Sequence, residues 1–596
     1  MLVLDRRRGC LGPSVAGRAA QGGEKIYHGH GARRLKQPSA SGPDEVISQS
    51  ISLWSALTTV EIFQEFQNKF ISIYDGTLSK IYRSRPKISP TGLCPHTQQV
   101  SKRQRTKKRK EQENKGMDLR LINPRKYRQL FLDDGAIESQ KGTRRTLHPP
   151  KKCGPLIKGG YQSRTAPQWN ADKGIWEWWY MGQHIHYARS TDGQNWEQPA
   201  LGLYEVNGSR ENNIVCDPEG GHQQRLYHVL YDPSDPDPKR RYKGLFSSSN
   251  RYLGTSADGL NWQMLDAPPI PSQDESQFTY DPFSQQYIAT VKQGTAWGRS
   301  VFLSTSKDFS SFTEPELILH SDETDWENCR QRVRLVTEDP GYIMPPLIDQ
   351  EDYMAEIYNM AVMPYQGLYI GLPVVFNPFG AIPPPHTNFT RINQIELAVS
   401  RDLYQWERVA DRAIFIGLYQ WDGNNYGTSQ LLPAGQPIVR DDGEIWIYYN
   451  ALRLPGSMEN YRTYNRYKEL FRLNVDPEHF EDSGALSLAR LQPDRFVSVD
   501  GDESAAIITK PFMLRGENVY INADARWGEI YTEILDGETR KPIPGFWVPG
   551  EHPPPFKGNQ IRGRVEWKRQ HDLIFEKPVR LKFYLHQARL YSFWIE

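Results

Sequence analysis

Short apolar and aromatic-rich runs alternate with clusters of polar turn formers from about residue 120 to the end of the chain. Runs of about four to eight such residues between turn clusters predict β-strands. Four of them end in the pattern Ser-x-Asp-x-x-x-aromatic, with copies starting at Ser190, Ser256, Ser306 and Ser400. The copies lie 66, 50 and 94 residues apart. A unit repeated at such spacings predicts one supersecondary motif used several times.

The repeated pattern predicts a turn of defined chemistry. An Asp side chain can accept hydrogen bonds from backbone N–H groups two residues further on, which closes a turn after the strand. Gly193 and Gly259 follow the Asp in two copies and can adopt positive φ without a Cβ clash. The aromatic residue is expected to start the next strand and to pack between neighbouring sheets. These Asp and aromatic residues are therefore interpreted as structural.

A second type of hairpin lies between the copies. Its turns occupy residues 169–174, 231–233, 280–283 and 440–443, and each precedes a run rich in aromatic and β-branched residues. Asp-Pro and Asp-Gly have a physical preference for turns. Together the two turn types predict an all-β fold, with a five-bladed β-propeller over residues 117–497. The uneven spacing is also compatible with four or six blades.

The last hundred residues follow a different pattern. The Ser-x-Asp repeat stops near Ser498, and short segments of alternating polarity take its place. These segments are residues 518–523, 529–535, 561–567, 579–585 and 588–594. Each is expected to be a strand with one buried face. The pattern predicts a C-terminal β-sandwich over residues 498–596, as a structural or sugar-binding accessory domain.

Composition narrows the range of functions. The chain has 596 residues, which is long enough for several domains, and it contains 16 Trp and 31 Tyr. No run of 18 apolar residues is present, so we expect no membrane-spanning helix. The five cysteines form no Cys-x-x-Cys pair, and His184 and His186 have no third ligand nearby in the sequence. We therefore predict neither a metal site nor a cofactor.

Charge is distributed unevenly along the chain. Residues 1–116 carry 21 Lys and Arg against 9 Asp and Glu, whereas the remainder carries 52 against 62. The basic run at residues 102–110 is typical of a disordered extension, and nucleic-acid binding, the least favoured function, would depend on this part alone. The change in composition at Met117 also suggests that translation starts there and that residues 1–116 are not made. Neither start is followed by a secretory signal pattern, which favours a cytoplasmic location.

Several segments carry a resemblance to a known family. They are residues 128–134, 145–150, 399–402 and 578–585, together with the Ser-x-Asp units. The chain from about residue 120 resembles bacterial proteins, abundant in planctomycetes, that are described as similar to the N-terminal domain of glycoside hydrolase family 32. More distantly, it is similar to the five-bladed propeller superfamily of invertases, levansucrases and arabinanases.

That resemblance implies an active site at the propeller axis, with carboxylates supplied by several blades. Hydrolysis of a glycosidic bond needs one carboxylic acid to protonate the leaving oxygen and one carboxylate as nucleophile or base. The invertase motifs Asn-Asp-Pro-Asn-Gly, Arg-Asp-Pro and Glu-Cys do not occur, so the candidates are chosen by position. The catalytic candidates are Asp133, Asp134, Asp281, Glu356 and Asp422. The alternatives are turn caps for the first two, a hairpin turn for Asp281 and surface positions for the others.

Candidate sugar-binding residues lie near two of these carboxylates. Arg330 and Arg332 alternate within residues 329–335 and would share one face if that segment is a strand. Such a face could bind an acidic sugar or be solvated. Trp421 and Tyr426 flank Asp422 in a segment crowded with polar and aromatic residues. The predicted function is a glycoside hydrolase acting on a poly- or oligosaccharide, with a non-catalytic carbohydrate-binding or interaction propeller as the alternative.

Overall fold

The computed structural model describes residues 121–221, 224–342, 354–381, 389–456, 475–546, 554–567 and 573–596. The predictions for residues 1–116 lie outside this set. The described residues are mostly in strands, and their helical segments are α1 (Glu323–Glu338), α2 (Glu478–Glu481) and the 3-10 turns Pro238–Arg240 and Ala410–Arg412. No helix in these ranges is both long enough and apolar enough to cross a membrane.

The strands form antiparallel meanders in chain order. Three strands precede the first meander: β1 (Gln129–Leu130), β2 (Ile137–Leu147) and β3 (Lys151–Lys158). Blade 1 contains β4 (Gln168–Asn170), β5 (Ile175–Met181) and β6 (Ile185–Ser190). Blade 2 contains β7 (Leu226–Tyr231), β8 (Tyr242–Phe246), β9 (Tyr252–Ser256) and β10 (Gln263–Met264). Blade 3 contains β11 (Ser276–Asp281), β12 (Gln286–Thr295), β13 (Gly298–Ser306) and β14 (Glu316–Leu319).

Blades 4 and 5 are joined into one sheet. Blade 4 contains β15 (Glu356–Tyr365), β16 (Leu368–Ala381), β17 (Phe389–Ile395), β18 (Ala398–Ser400) and β19 (Trp406–Arg408). Blade 5 contains β20 (Gln430–Pro433), β21 (Ile438–Val439), β22 (Ile445–Leu452) and β23 (Gly484–Leu491). β17 pairs with both β16 and β20, and the early strand β3 completes blade 5 by pairing with β23. The predicted five-bladed β-propeller is confirmed.

The repeated turns have the predicted chemistry. Ser190, Ser256, Ser306 and Ser400 are the last residues of β6, β9, β13 and β18. In the first copy the Asp192 carboxylate accepts the backbone N–H groups of Gln194 and Asn195, both at 2.8 Å. Gly193 has φ +77°, and Leu403 takes the equivalent position in the last copy with φ +70°. The turn therefore imposes the left-handed backbone conformation at this position, whether the residue is Gly or Leu.

The C-terminal module is a sheet folded back on itself. It contains β24 (Val497–Thr509), β25 (Val519–Asp536), β26 (Phe556–Arg564), β27 (Val579–His586) and β28 (Ala588–Ile595). β25 pairs with β28 along its first half and with β27 along its second half, and β24 pairs with both. The strands thus enclose a core of their own. The two strands predicted at 518–523 and 529–535 form one long strand, β25, interrupted by an irregularity between Ala525 and Ile530.

The start of the described chain belongs to this C-terminal module. β1 pairs with β28, and β2 pairs with β24 from Ile137 opposite Thr509 to Leu147 opposite Val497. Phe131, between β1 and β2, is fully buried in the C-terminal core. The range 117–497 therefore contains two strands that lie outside the propeller. Their partners are hundreds of residues away, so proximity along the chain gives no indication of this pairing.

Candidate active site

The inner strands of the propeller run in the same direction. The Arg164 carbonyl accepts a hydrogen bond from His228 Nδ1 at 2.9 Å, and the Gln168 side chain accepts one from the Tyr231 N–H at 3.0 Å. From the first pair to the second, the residue number rises in both segments, from 164 to 168 and from 228 to 231. The segment leading into β4 is therefore parallel to β7. β11 packs against β7 and β15 in turn. The amino ends of the inner strands therefore meet at one end of the axis and their carboxyl ends at the other.

Charged side chains gather at the amino ends, and we refer to this group as the mouth. It consists of Arg164, Arg251, Asp274, Glu275, Lys292, Arg299 and Glu356, most of which lie near the ring of Tyr358. The Lys292 ammonium lies 4.1 Å from the centroid of that ring, and the Arg299 guanidinium lies 6.0 Å from it. Blades 1 to 4 all contribute to the mouth, which makes it the point where the described chain concentrates titratable groups at the axis.

Asp274 is the accessible carboxylate of the mouth. Its side chain is 59 % exposed and forms an ion pair with the nearly buried Lys292. Burial by the surrounding protein would raise the pKa of Asp274, but the Lys292 ammonium more than offsets this and lowers the pKa to about 2. Asp274 is therefore an ionised carboxylate that solvent can reach.

Glu275 is held differently from its neighbour in the sequence. Its two oxygens accept hydrogen bonds from Arg164 Nε and Nη2 at 2.5 and 2.6 Å, and both side chains are buried. Asn359 adds a donor at 3.2 Å. Burial alone would lower the pKa of Arg164, but Glu275 raises it above its usual range. This bidentate pair connects blades 1 and 3, and it leaves Glu275 with a mainly structural role.

Glu356 is a further carboxylate of the mouth. It is the first residue of β15 and pairs with Arg299, whose guanidinium lies 4.5 Å from the Phe376 ring centroid. The Glu356 carboxylate packs directly on Gly298, where φ is +80° and a Cβ would clash with it. Glycine at position 298 therefore permits both the turn and the close approach.

An aromatic platform lies next to Glu356. Trp297 precedes Gly298 in the hairpin between β12 and β13, and its ring stacks on His320 with centroids 3.9 Å apart and an interplanar angle of 16°. Trp297 remains 39 % exposed. An exposed indole held flat next to the Gly298–Glu356 contact can bind the apolar face of a sugar ring.

A buried polar layer supports the mouth. Arg251 donates to the backbone carbonyls of Gln273 and Asp274 at 3.0 and 2.9 Å, which positions the Asp274 segment. Its Nε also donates to Ser276 Oγ at 2.6 Å, so that hydroxyl donates its own hydrogen to His228 Nε2 at 2.7 Å. Burial, reinforced by Arg251, holds the pKa of His228 well below its usual range. His228 is therefore a neutral imidazole protonated on Nδ1.

Of the predicted catalytic residues, only Glu356 lies at the mouth. Asp133 forms an ion pair with Arg401 at 2.7 Å in the turn after β18, and Asp134 is an exposed partner of Arg145; both lie beside the C-terminal module. Asp281 ends β11 at the opposite end of the axis. Its carboxylate accepts the Phe283 N–H at 2.9 Å and the Tyr369 hydroxyl at 2.7 Å. This is the hairpin-turn alternative, because both oxygens are used to close the turn and to anchor it.

Asp422 occupies an exposed turn. Its carboxylate accepts the backbone N–H groups of Asn424 and Asn425 at 2.8 and 2.7 Å, and these bonds lower its pKa. The neighbouring candidates lie in the same loop region of blade 5, at the amino end of β20. Trp421 packs edge-on against His479 with centroids 5.0 Å apart. Tyr426 is buried, with its hydroxyl on Asp482 and the Arg453 guanidinium 4.0 Å from its ring centroid.

The strand predicted over residues 329–335 is wrong, because this segment lies in α1. Asp322 caps the helix by accepting the N–H groups of Thr324 and Asp325. Side chains two positions apart on a helix point in nearly opposite directions, so the arginines do not share a face. Arg330 pairs on the surface with Glu327 at 2.7 Å, and Arg332 binds the buried Glu396 at 2.6 Å. Neither arginine belongs to the mouth.

The sequence reasoning missed most of the mouth. Asp274 and Glu275 directly precede β11, which ends at the Asp281 turn. A rule that carboxylates at the start of an inner strand face the axis would have found both. Lys292 and Arg299 come from the second and third strands of the same blade. No local signal distinguishes them from solvated strand residues.

Comparisons with known proteins add similarities of fold. No family model matches the chain, and no curated protein matches its sequence. Among solved structures, it is similar to an N-acetylgalactosamine deacetylase from F. plautii, with 13 % identity, a TM-score of 0.34, and coverage of 58 % of this chain and 95 % of that one. It is also similar to a GH32 β-fructofuranosidase from Bombyx mori (11 %, TM-score 0.32, 75 % and 93 %) and to the catalytic domain of a GH62 α-L-arabinofuranosidase from Coprinopsis cinerea (12 %, TM-score 0.33, 58 % and 97 %).

Proposed function

We propose that the protein is a glycoside hydrolase that acts on a poly- or oligosaccharide at the mouth. The observation that supports this most directly is Asp274, an accessible carboxylate that pairs with Lys292 at the propeller axis and whose pKa of about 2 keeps it ionised. A second carboxylate, Glu356, starts the inner strand of the next blade. The resemblance to propeller glycosidases noted from the sequence also implies an active site at the propeller axis.

The two carboxylates have different roles in the proposed reaction. Asp274 remains ionised at any working pH, as a nucleophile or as the base that activates water requires. Glu356 is the proton donor to the leaving oxygen, and it must hold a proton when the substrate is bound. Arg299, its partner in the resting site, then contacts the substrate or the developing negative charge. Trp297 positions the sugar ring by stacking.

A non-catalytic carbohydrate-binding protein is the second candidate function. It is favoured by the pairing within the mouth: Asp274 with Lys292, Glu275 with Arg164 and Glu356 with Arg299. A carboxylate beside a cation prefers its ionised form. If all three stay ionised when the sugar is bound, none can protonate a leaving group.

A hydrolysis screen distinguishes the two candidates. Neutral, uronic and sulfated oligosaccharides are incubated with the protein and with Asp274→Asn, Glu356→Gln and the control Asp422→Asn, and released reducing ends are measured. A hydrolase loses at least a hundredfold in rate with either mouth variant and nothing with the control. Saturable binding without release, weakened by Trp297→Ala, would support the binding protein instead. Release that persists in both mouth variants would refute the proposed site.

A further inference from the structure

A cavity of about 520 Å³ lies at the carboxyl ends of the inner strands, at the end of the axis opposite the mouth. We refer to it as the carboxyl-end cavity. Its wall includes Trp169, Tyr231, Tyr280, Met363 and Arg440, one residue from each of the five blades. A concave site with aromatic walls and a few polar groups has the form of a small-molecule pocket. The proposed function uses none of these residues.

Arg440 is held in place by aromatic rings. Its guanidinium lies 4.9 Å from the Trp176 ring centroid and 4.5 Å from that of Trp446. Its backbone is fixed in the turn after β21 by hydrogen bonds to Glu444 and Gly443 at 2.9 and 2.8 Å. When a guanidinium stacks on an aromatic face, its N–H groups lie in the guanidinium plane and can still donate hydrogen bonds. The cavity therefore contains a preorganised hydrogen-bond donor.

Trp169 presents an open aromatic face in the same cavity. It is 45 % exposed, and its ring leans on Trp176 with centroids 5.3 Å apart and an interplanar angle of 49°. The neighbouring ring fixes the orientation of Trp169. A large apolar side chain left accessible inside a recess, rather than scattered on a convex surface, indicates a ligand contact.

Asp441 completes the chemistry of the site. It follows Arg440, also lines the cavity and is exposed. The cavity thus combines an indole face, a donor-only guanidinium and an acceptor-only carboxylate. The hydroxyl groups of a sugar both donate and accept hydrogen bonds, and one face of a pyranose ring is apolar. Arg440 and Asp441 together contribute no net charge, so the cavity offers no charge that an anionic ligand needs.

We infer that the carboxyl-end cavity is a second carbohydrate site, which binds a neutral oligosaccharide. The sugar ring stacks on Trp169, while its hydroxyls accept from Arg440 and donate to Asp441. The inference is independent of the proposed function, because it requires no chemistry at the mouth. A chain with a site at each end of the axis can hold two segments of glycan at once.

Isothermal titration calorimetry on the full chain tests this inference. The probes are the hexaoses of cellulose, xylan, 1,5-arabinan and inulin-type fructan, together with a chondroitin sulfate hexasaccharide as the anionic probe. The background is Asp274→Asn, which prevents turnover. In that background Trp169→Ala and Arg440→Gln remove the cavity contacts, Trp297→Ala removes the platform at the mouth, and Trp527→Ala removes an indole of the C-terminal module that is 83 % exposed.

At least one neutral hexaose is expected to bind, with an affinity reduced at least tenfold by Trp169→Ala and by Arg440→Gln but unchanged by Trp527→Ala. If the mouth binds the same sugar, the stoichiometry falls from two to one in both cavity variants. Unaltered melting temperatures of the variants, measured in parallel, separate lost binding from lost folding. Failure of all four neutral hexaoses to bind, binding lost only with Trp297→Ala, or a cavity that takes only the sulfated probe would each overturn the inference. None of these results depends on whether the mouth hydrolyses glycans.

Discussion

Substitution of Glu396 by glutamine tests whether the Arg332 contact is structural, as the geometry indicates. Glu396 is fully buried after β17. One carboxylate oxygen accepts from Arg332 on α1 at 2.6 Å, and the other accepts from Arg408 on β19. The amide replaces one of these acceptors with a donor that faces a guanidinium. The change therefore leaves buried positive charge without its main partner, at almost constant side-chain volume.

The magnitude follows from the contacts that remain. Breaking a buried ion pair by removing one partner costs about 3 to 5 kcal/mol. Arg332 still donates to the Arg412 carbonyl at 2.9 Å, and Arg408 still pairs with Asp325 at 3.3 Å. Because both arginines keep an acceptor, we expect the lower end of the range, about 3 kcal/mol. At roughly 2 °C per kcal/mol for a large domain, the propeller transition falls by about 6 °C.

Differential scanning calorimetry at neutral pH measures this shift. The matched control is Glu327→Gln on the same helix, where the exposed carboxylate pairs with Arg330 and accepts a long hydrogen bond from Gln331. Its transition should match that of the parent, because surface pairs contribute little. A melting midpoint for Glu396→Gln within about 1 °C of the parent would refute the structural assignment. Loss of the partner of a buried charge should destabilise the fold by more than such a small shift implies.

Three further predictions concern titration and the sequence-derived candidates. The pKa of His228 is lower in the folded chain than in the unfolded chain. The free energy of unfolding should therefore fall as the pH drops below the unfolded pKa near 6.5, by up to about 1.4 kcal/mol per pH unit. In urea melts between pH 5 and 7, the free energy of unfolding of His228→Asn should depend less steeply on pH than that of the parent. Arg401 and the Gly135 N–H lower the pKa of Asp133 despite its burial, so its contribution is present above pH 4 and lost on further acidification. Asp133→Asn should therefore destabilise by about 1 to 2 kcal/mol at pH 7, a figure discounted for the exposure of Arg401, and an equal effect on melts at pH 2.5 would contradict this. Asp422→Asn retains the acceptor that closes its turn, so its melting temperature should equal that of the parent.

The sequence predicts the local part of the fold well. Each Ser-x-Asp turn is closed by contacts within four residues, so its chemistry can be derived from the pattern alone. The helix α1 was also accessible in principle. Asp322 and Asp325 have the spacing of a capping box, which predicts the start of a helix. The alternation of Arg330 and Arg332 instead predicts a strand, and the structure shows that the capping signal is the correct one.

Non-local pairing sets the limit of prediction for the rest. β2 lies in the C-terminal sheet because it pairs with Val497–Thr509, and no residue near β2 in the sequence predicts that partner. The mouth also depends on residues that are distant in the sequence. Asp274 becomes a site residue because β12 brings Lys292 beside it and β15 brings Glu356 to the same rim. Each of these side chains is an ordinary charged residue in the sequence, and their proximity is a property of the closed ring.

The way the ring closes imposes an order on biosynthesis. β3 pairs with β23 through contacts such as Lys158 with Ala485, and β1 pairs with β28, the last strand of the chain. At about 5 to 20 residues per second, the partner of β3 leaves the ribosome roughly 15 to 65 s after β3 itself. Strands made first are thus incorporated last, and their unpaired edges stay open to a neighbouring nascent chain in the meantime. Until the ring closes, pairing of these edges with another nascent chain competes with correct folding.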